Sequence, residues 1–354
     1  MKEIVVSGIR ATGNLHLGSY FGALRNFVRM QDDYDCRFFV ADLHALTTHP
    51  DPKTLHQNAK NILAEYIAAG LDPERSTIFV QSDVPEVAEM YLLLNMHVGI
   101  GELMRTASFK DKARKALGIS TAAQESDEEI EHEIIGNEGS NRRVNAGLLT
   151  YPTLMAVDIL IQKATKVPVG KDQEQHLELT RRFARRFNSF YGVDLFPEPE
   201  NFTFGGHAVK VPGLDGSGKM GKSEGNCIYL VDDEKTLRKK VMRAVTDQGP
   251  QVPNSPLSEP IANLFTLMEL ASEPDVIQHF KDAYADCSIR YGDLKKQLAE
   301  DLVKITAPIR QRIMDIQAND EYLSRAVRIG AERARAAAAV TLAEVREAMG
   351  IKKF

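Results

Sequence analysis

The first hundred residues alternate short β-branched or aromatic runs with amphipathic stretches, and that alternation most narrows the folds open to this chain. Glu3–Ile9 is apolar and β-branched, as in a strand buried on both faces. Gly13 and Asn14 break the run, and Leu17–Met30 carries helical spacing. Arg37–Val40 is a second short apolar run, Pro52–Ala69 a helix opened by proline, Thr77–Gln81 a third run and Glu86–Ile100 another helix. Tyr151–Ala164, Thr165–Gly170 and Asp172–Tyr191 continue the order as helix, strand and long amphipathic helix. Strand, loop and helix in repetition specify an α/β fold with a parallel sheet, whose functional groups gather at the carboxyl ends of the strands.

The texture then changes. From Asp232 onward only helical patterns recur: Glu234–Val245, Pro260–Ala271, Pro274–Tyr284, Tyr291–Met314 and Asp320–Met349. We therefore expect an α/β catalytic domain over residues 1–228 and a smaller all-helical domain over 229–354, whose last helix could pack back on the first domain. Residues 113–145 interrupt the α/β pattern with an acidic centre, Glu125–Glu133, and read as a solvated surface excursion. Arg181, Arg182, Arg185 and Arg186 read as a solvated helix face rather than a nucleic-acid contact. A net charge of −5 argues against a surface coated with basic charge. Cys36, Cys227 and Cys287 are widely spaced and form no CxxC pair, so no metal site is readable and a reducing, cytoplasmic setting is expected. No apolar run reaches membrane-spanning length, and the N-terminal run is too short for a signal peptide.

Two motifs carry chemistry. Gly213-Leu-Asp-Gly-Ser-Gly-Lys219-Met220-Gly221-Lys222-Ser223 is a glycine-rich loop, expected to be mobile, with two lysines three residues apart. Alone it is either a solvated turn or a loop that closes on a polyphosphate. Some 200 residues earlier, Gly8-Ile9-Arg10-Ala11-Thr12-Gly13-Asn14-Leu15-His16-Leu17-Gly18-Ser19 follows the first strand and opens a helix, a place that favours anions. In this order the pair resembles the signature motifs of class I aminoacyl-tRNA synthetases. Asp42-Leu-His44-Ala-Leu-Thr47, Gly101-Glu-Leu103, Phe109-Lys-Asp-Lys112, Tyr151-Pro-Thr-Leu-Met155-Ala-Val-Asp158-Ile159 and Val167-Pro-Val169-Gly170-Lys171-Asp172-Gln173 narrow the resemblance to the bacterial-type tryptophanyl branch.

The resemblance implies a Rossmann-like catalytic domain that joins L-tryptophan to ATP, with Mg2+ bound alongside the nucleotide, and then loads tRNA(Trp). It also implies a homodimer. His16, Gly18 and Ser19 would hold ATP, with Arg10, Ala11 and Thr12 near the phosphates. Gly170, Lys171 and Asp172 would bind the ribose and adenine side, with backbone near Lys210 closing on the base. Lys112, Lys219 and Lys222, with Met220, Gly221 and Ser223 of the same loop, would stabilise pyrophosphate. Tyr151 and Gln173 would hold the amino acid's polar end, and Gly8 and His44 would line its pocket. Tyr151, Met155 and Asp158 share a helix face by spacing. Spacing alone leaves Asp158 either a locally paired buried carboxylate or an acceptor for a ligand. An indole offers one N–H that only donates, so its pocket needs apolar walls and one acceptor. Met155, Ile159, Val167 and Val169 could supply the walls and Asp158 the acceptor.

The chain departs from the family pattern at four places. Gly221 stands where serine is usual, Ser19 where asparagine is common, and Arg10 where glutamine is usual, and the stretch after Lys112 is longer. Two rivals remain. In a tyrosyl enzyme, the phenol hydroxyl would call for a second polar contact. A paralogue that binds RNA or an amino acid without ligation would lack tryptophan-dependent ATP–pyrophosphate exchange.

Overall fold

The computed structural model describes residues 2–118, 144–170, 173–202 and 209–352. Five parallel strands form one sheet: β1 Ile4–Arg10, β2 Asp35–Ala41, β3 Thr77–Val80, β4 Lys166–Val167 and β5 Glu200–Asn201, in the order β3-β2-β1-β4-β5. Val5, Val6, Phe38, Phe39, Val40, Ile78 and Phe79 are buried, as strands covered on both faces require. The chain steps outward through β2 and β3, then returns to place β4 on the other side of β1. The order reverses between β1 and β4, and in such sheets a crevice opens there beyond the carboxyl ends.

Two strands differ from the sequence reading for local reasons. The run Thr165–Gly170 pairs only at Lys166–Val167, because Pro168 has no N–H to give the ladder. Strand β5 was not expected at all: its residues Glu200 and Asn201 are polar and exposed, so no apolar pattern marks them. The helix begun at Glu86 stops at Asn95, and a separate helix, Ile100–Met104, starts after Gly99. Helix Ala107–Leu117 continues past Ala113, which is fully buried beside Phe109 and Leu148, so the first residue of the acidic segment is packed rather than solvated. Its centre, residues 119–143, lies outside the described residues.

The helical second half is not a detached body. One hydrophobic cluster runs from Val5 and Phe38 through Leu237, Leu264 and Leu302 to Leu323. Helix Asp320–Ala348 lies along β3 at the sheet's edge. Gln162 Nε2 donates to Ala334 O at 3.2 Å, and Arg335 pairs with Glu86 at 3.2 Å. The helix backbone comes close to the strand at Gly330, where an added Cβ would stand 1.9 Å from the carbonyl oxygen of Ile78. Gly330→Ala would gain about 1 kcal/mol of helix propensity. It must also push backbone away from backbone, an overpacking that costs about 1–3 kcal/mol. We expect a lower denaturant midpoint for Gly330→Ala; a midpoint above the parent's would show that the helix is free to shift off the strand.

Candidate active site

The two motifs meet through backbone pairing. Leu17 N donates to Ile228 O and Leu230 N to Leu15 O, both at 2.9 Å, and His16 bridges Tyr229 in antiparallel fashion. The glycine-lysine loop therefore arches over the turn Ala11–Ser19. The loop is more constrained than its glycines suggest. Asn226 Nδ2 donates to Asp215 Oδ1 at 2.9 Å, Ser217 Oγ at 3.0 Å and Lys219 O at 3.1 Å, while Asn226 Oδ1 accepts from Gly221 N at 2.9 Å. Gly213 leaves the space that the Asn226 amide fills, since a Cβ there would meet Nδ2 at 2.1 Å.

Positive charge is concentrated at this junction. Lys222 Nζ donates to Gly13 O at 2.9 Å and Thr12 O at 3.3 Å. Lys219 and Lys210 are exposed, Met220 is buried, and the Ser223 hydroxyl donates to the Glu224 carboxylate at 2.9 Å. Burial first, then Lys222 and Lys219, push the His16 pKa down to about 4. His16 is thus a neutral imidazole at pH 7, suited to hydrogen bonding rather than to adding charge. Its ring lies where a side chain at 18 would be, with a Cβ on Gly18 only 2.7 Å from the ring. Lys112 sits on helix Ala107–Leu117 with Nζ 3.5 Å from the centre of the Tyr151 ring. Burial, then the neighbouring Arg10, lower the Lys112 pKa to about 8. Arg10 also donates to Thr48 Oγ1 at 3.3 Å.

Directly below, in the β1/β4 crevice, lies a cavity of about 260 Å³. It is lined by Gly8, Arg10, His44, Tyr151, Met155, Asp158, Ile159, Val167, Val169, Gly170 and Gln173, so residues from four separate motifs come together. Gly8 is needed because the Phe39 ring of the neighbouring strand occupies the place of a Cβ, 2.6 Å away. Asp158 is buried on helix Tyr151–Leu160. His44 Nε2 lies 2.9 Å from Asp158 Oδ2, and Gln81 Nε2 donates to Oδ1 at 2.8 Å and Oδ2 at 2.9 Å. Burial raises the Asp158 pKa, and the bonds from His44 and Gln81 oppose that rise. A carboxylate has about four acceptor positions, so one more donor can be received.

Lys171 and Asp172 lie outside the described residues. The sequence reading passed over Gln81 and Asn226. Gln81 had a usable signal: it is a polar residue at the carboxyl end of a strand, where functional groups gather. Arg181 and Arg185 pair with Glu178, at 3.1 and 3.2 Å, and Arg186 with Glu102 at 2.9 Å, so this helix face is an ion-paired surface. A larger cavity of about 600 Å³ lies between helices Pro52–Ala68 and Asp320–Ala348, and no residue of the two motifs lines it.

The sheet thus reverses its order beside a cavity, and a His-x-Gly turn is paired to a lysine-bearing loop. The model of the class I tRNA synthetases (W and Y) matches residues 2–307, and the chain belongs to that family. It is 61% identical to the tryptophan–tRNA ligase of Porphyromonas gingivalis, over 99% of this chain and 100% of the relative. It is 40% identical to the enzyme of the same name from Caldanaerobacter subterraneus, over 98% of each. The fold superposes on the tryptophanyl-tRNA synthetase of Campylobacter jejuni, complexed with ADP and tryptophan, with a TM-score of 0.81 at 32% identity, over 98% of this chain and 99% of that one.

Removing the Asp158 carboxyl leaves buried donors on His44 and Gln81 without an acceptor, at about 1–3 kcal/mol per group. Asp158→Ala is therefore expected to lower kcat/KM for tryptophan at least ~10-fold while the KM for ATP stays within a few-fold. Equal losses for both substrates would show a general collapse of the crevice instead of a lost amino-acid contact.

Proposed function

We propose that the chain is a tryptophan–tRNA ligase. It activates L-tryptophan with Mg-ATP, giving tryptophanyl-adenylate and pyrophosphate, and then passes the acyl group to the terminal adenosine of tRNA(Trp). One observation carries the reading. An apolar-walled cavity with a single buried carboxylate acceptor among its described residues is lined by Arg10, next to the turn on which Lys222 rests, and by Tyr151, whose ring carries the Lys112 ammonium. The indole N–H donates to Asp158, while Met155, Ile159, Val167 and Val169 enclose the rings. Phenylalanine would bring no donor, and a site built around such a bond rejects the analogue lacking it by ~10⁴-fold or more.

Tyr151 and Gln173 face the amino acid's polar end. The tryptophan carboxylate oxygen attacks the α-phosphorus, and the bond to the bridging oxygen breaks as pyrophosphate leaves. Charge accumulates on the leaving oxygens, where fixed cations act more strongly than in water. Lys222 and Lys219 reach that region from the loop and Lys112 from the side. Neutral His16 supports the phosphates by hydrogen bonding. The ammoniums, hydroxyls and carbonyls of the motifs suit a nucleotide that brings its own magnesium, a cation held largely by phosphate oxygens in such sites.

The helical residues 229–354 serve the anticodon end of the tRNA. A second copy of the chain covers the exposed apolar side chains Leu92, Met96, Ile100 and Phe190, the last of which packs edge-on against His97. No helix among the described residues is long and apolar enough to cross a membrane, and the reaction belongs with cytoplasmic translation. Met96→Glu should shift the sedimentation profile toward monomers if this patch is the dimer surface; an unchanged profile places the contact elsewhere.

Tryptophan-dependent ATP–pyrophosphate exchange tests the function, and exchange driven instead by tyrosine, or none at all, would overturn it. Lys222→Ala should slow exchange at least ~10-fold with little change in tryptophan affinity, because its charge matters most as pyrophosphate departs. Gly221→Ser should be neutral or mildly activating. Its Cβ meets only the flexible Glu224 carboxylate, 2.0 Å away. A large loss would show that Glu224 must stay where it is.

A further inference from the structure

Beneath the first motif lies a charged residue that the reaction as described does not use. Glu65, on helix Pro52–Ala68, is fully buried. Its Oε2 accepts from Leu15 N at 2.7 Å, one residue before His16, and its Oε1 is buried without a hydrogen-bond partner. In the same turn, Lys222 Nζ rests on the carbonyl oxygens of Gly13 and Thr12, two and three residues before Leu15. We infer that Glu65 is a positioning residue with a second, titrating role: it anchors the Leu15 amide throughout, lies in the field of Lys222 while that lysine rests on the turn, and takes up a proton when a bound polyphosphate draws Lys222 away. The inference rests on the reading that Lys222 serves the polyphosphate.

The electrostatics run in the required direction. Burial raises the Glu65 pKa to about 8, against the opposing pull of the Leu15 amide and of Lys222. Reciprocally, burial lowers the Lys222 pKa while Glu65, and less so Cys227, raise it. The other ionisable groups around the pair are Tyr66, beside Glu65 on its helix, and His16, which feels Lys222, Lys219 and Glu224. When the lysine moves to a phosphate, the carboxylate loses its compensating charge inside an apolar setting, and its proton affinity must rise. Binding then takes up a proton from solvent, and by linkage nucleotide affinity falls as pH increases through about 8. The turn keeps its anchor in either state, since a protonated carboxyl still offers an oxygen to Leu15 N–H.

The test is calorimetric titration of the full chain with magnesium and a non-hydrolysable ATP analogue, in buffers of different ionisation enthalpy. Glu65→Gln keeps an oxygen for Leu15 and removes the titrating group. At pH 8 the parent should take up more protons per site than Glu65→Gln, by up to about half a proton. Between pH 7 and pH 9 the parent's affinity should fall relative to the variant's by up to ~10-fold. Identical uptake and parallel affinity profiles would overturn the inference, because a merely structural Glu65 moves neither. If Glu65→Gln does not fold, the parent alone decides. With isotope-labelled glutamate, its infrared difference spectrum should gain a protonated-carboxyl band on binding, and no gain would overturn the proposal. Failure of the analogue to bind the parent would instead sink the reading of Lys222 and the ATP site on which this rests.

Discussion

The site depends on a short backbone pairing between segments more than two hundred residues apart. Leu15 and Leu17 exchange hydrogen bonds with Leu230 and Ile228, and that exchange fixes the lysine loop above the His16 turn. Everything electrostatic follows from it. Lys219 and Lys222 are held close enough to His16 to help keep the imidazole neutral, and Lys222 is parked on carbonyl oxygens. The glycines of the loop serve packing as much as freedom: Gly213 admits the Asn226 amide that ties Asp215, Ser217, Lys219 and Gly221 into one turn.

The cavity has a different foundation, the reversal of strand order at β1. Because β4 returns to the side of β1 opposite β2, the carboxyl ends of the two strands diverge and leave a crevice with Gly8 at its base. The crevice has largely apolar walls, and Asp158, entering from its helix, is the one acidic residue among the described residues that line it. That carboxylate is held by His44 from the end of β2 and Gln81 from the end of β3, so the ends of two neighbouring strands fix one acceptor. Orientation by two buried partners is what lets a single hydrogen bond discriminate between ligands, since a freely rotating carboxylate could turn to accept from water.

Much of this was legible in the residues. Period and punctuation place β1, β2 and β3 and the helices that follow them, and the spacing of Tyr151, Met155 and Asp158 puts them on one helix face that does line the cavity. What escaped has a common cause: it depends on contacts between distant segments and not on local pattern. Strand β5 is two polar residues paired at the sheet's edge, and Pro168 cut β4 short of its apolar run. Glu65 sits inside an otherwise regular helix, and nothing in its neighbours announces that its carboxyl reaches the Leu15 amide. Gln81 and Asn226 are ordinary polar residues until the fold surrounds them with donors and acceptors. The four arginines of helix Glu174–Tyr191 show the converse: a conspicuous charge run that the fold spends on surface ion pairs.

The most direct test of the account is a crystal structure with a non-hydrolysable tryptophanyl-adenylate analogue. The account places the indole N–H within hydrogen-bond distance of Asp158, the adenylate phosphate beneath the His16 turn, and the rings between Met155 and Val169. An indole seated in the larger cavity between helices Pro52–Ala68 and Asp320–Ala348, or one turned with its N–H away from Asp158, would contradict it.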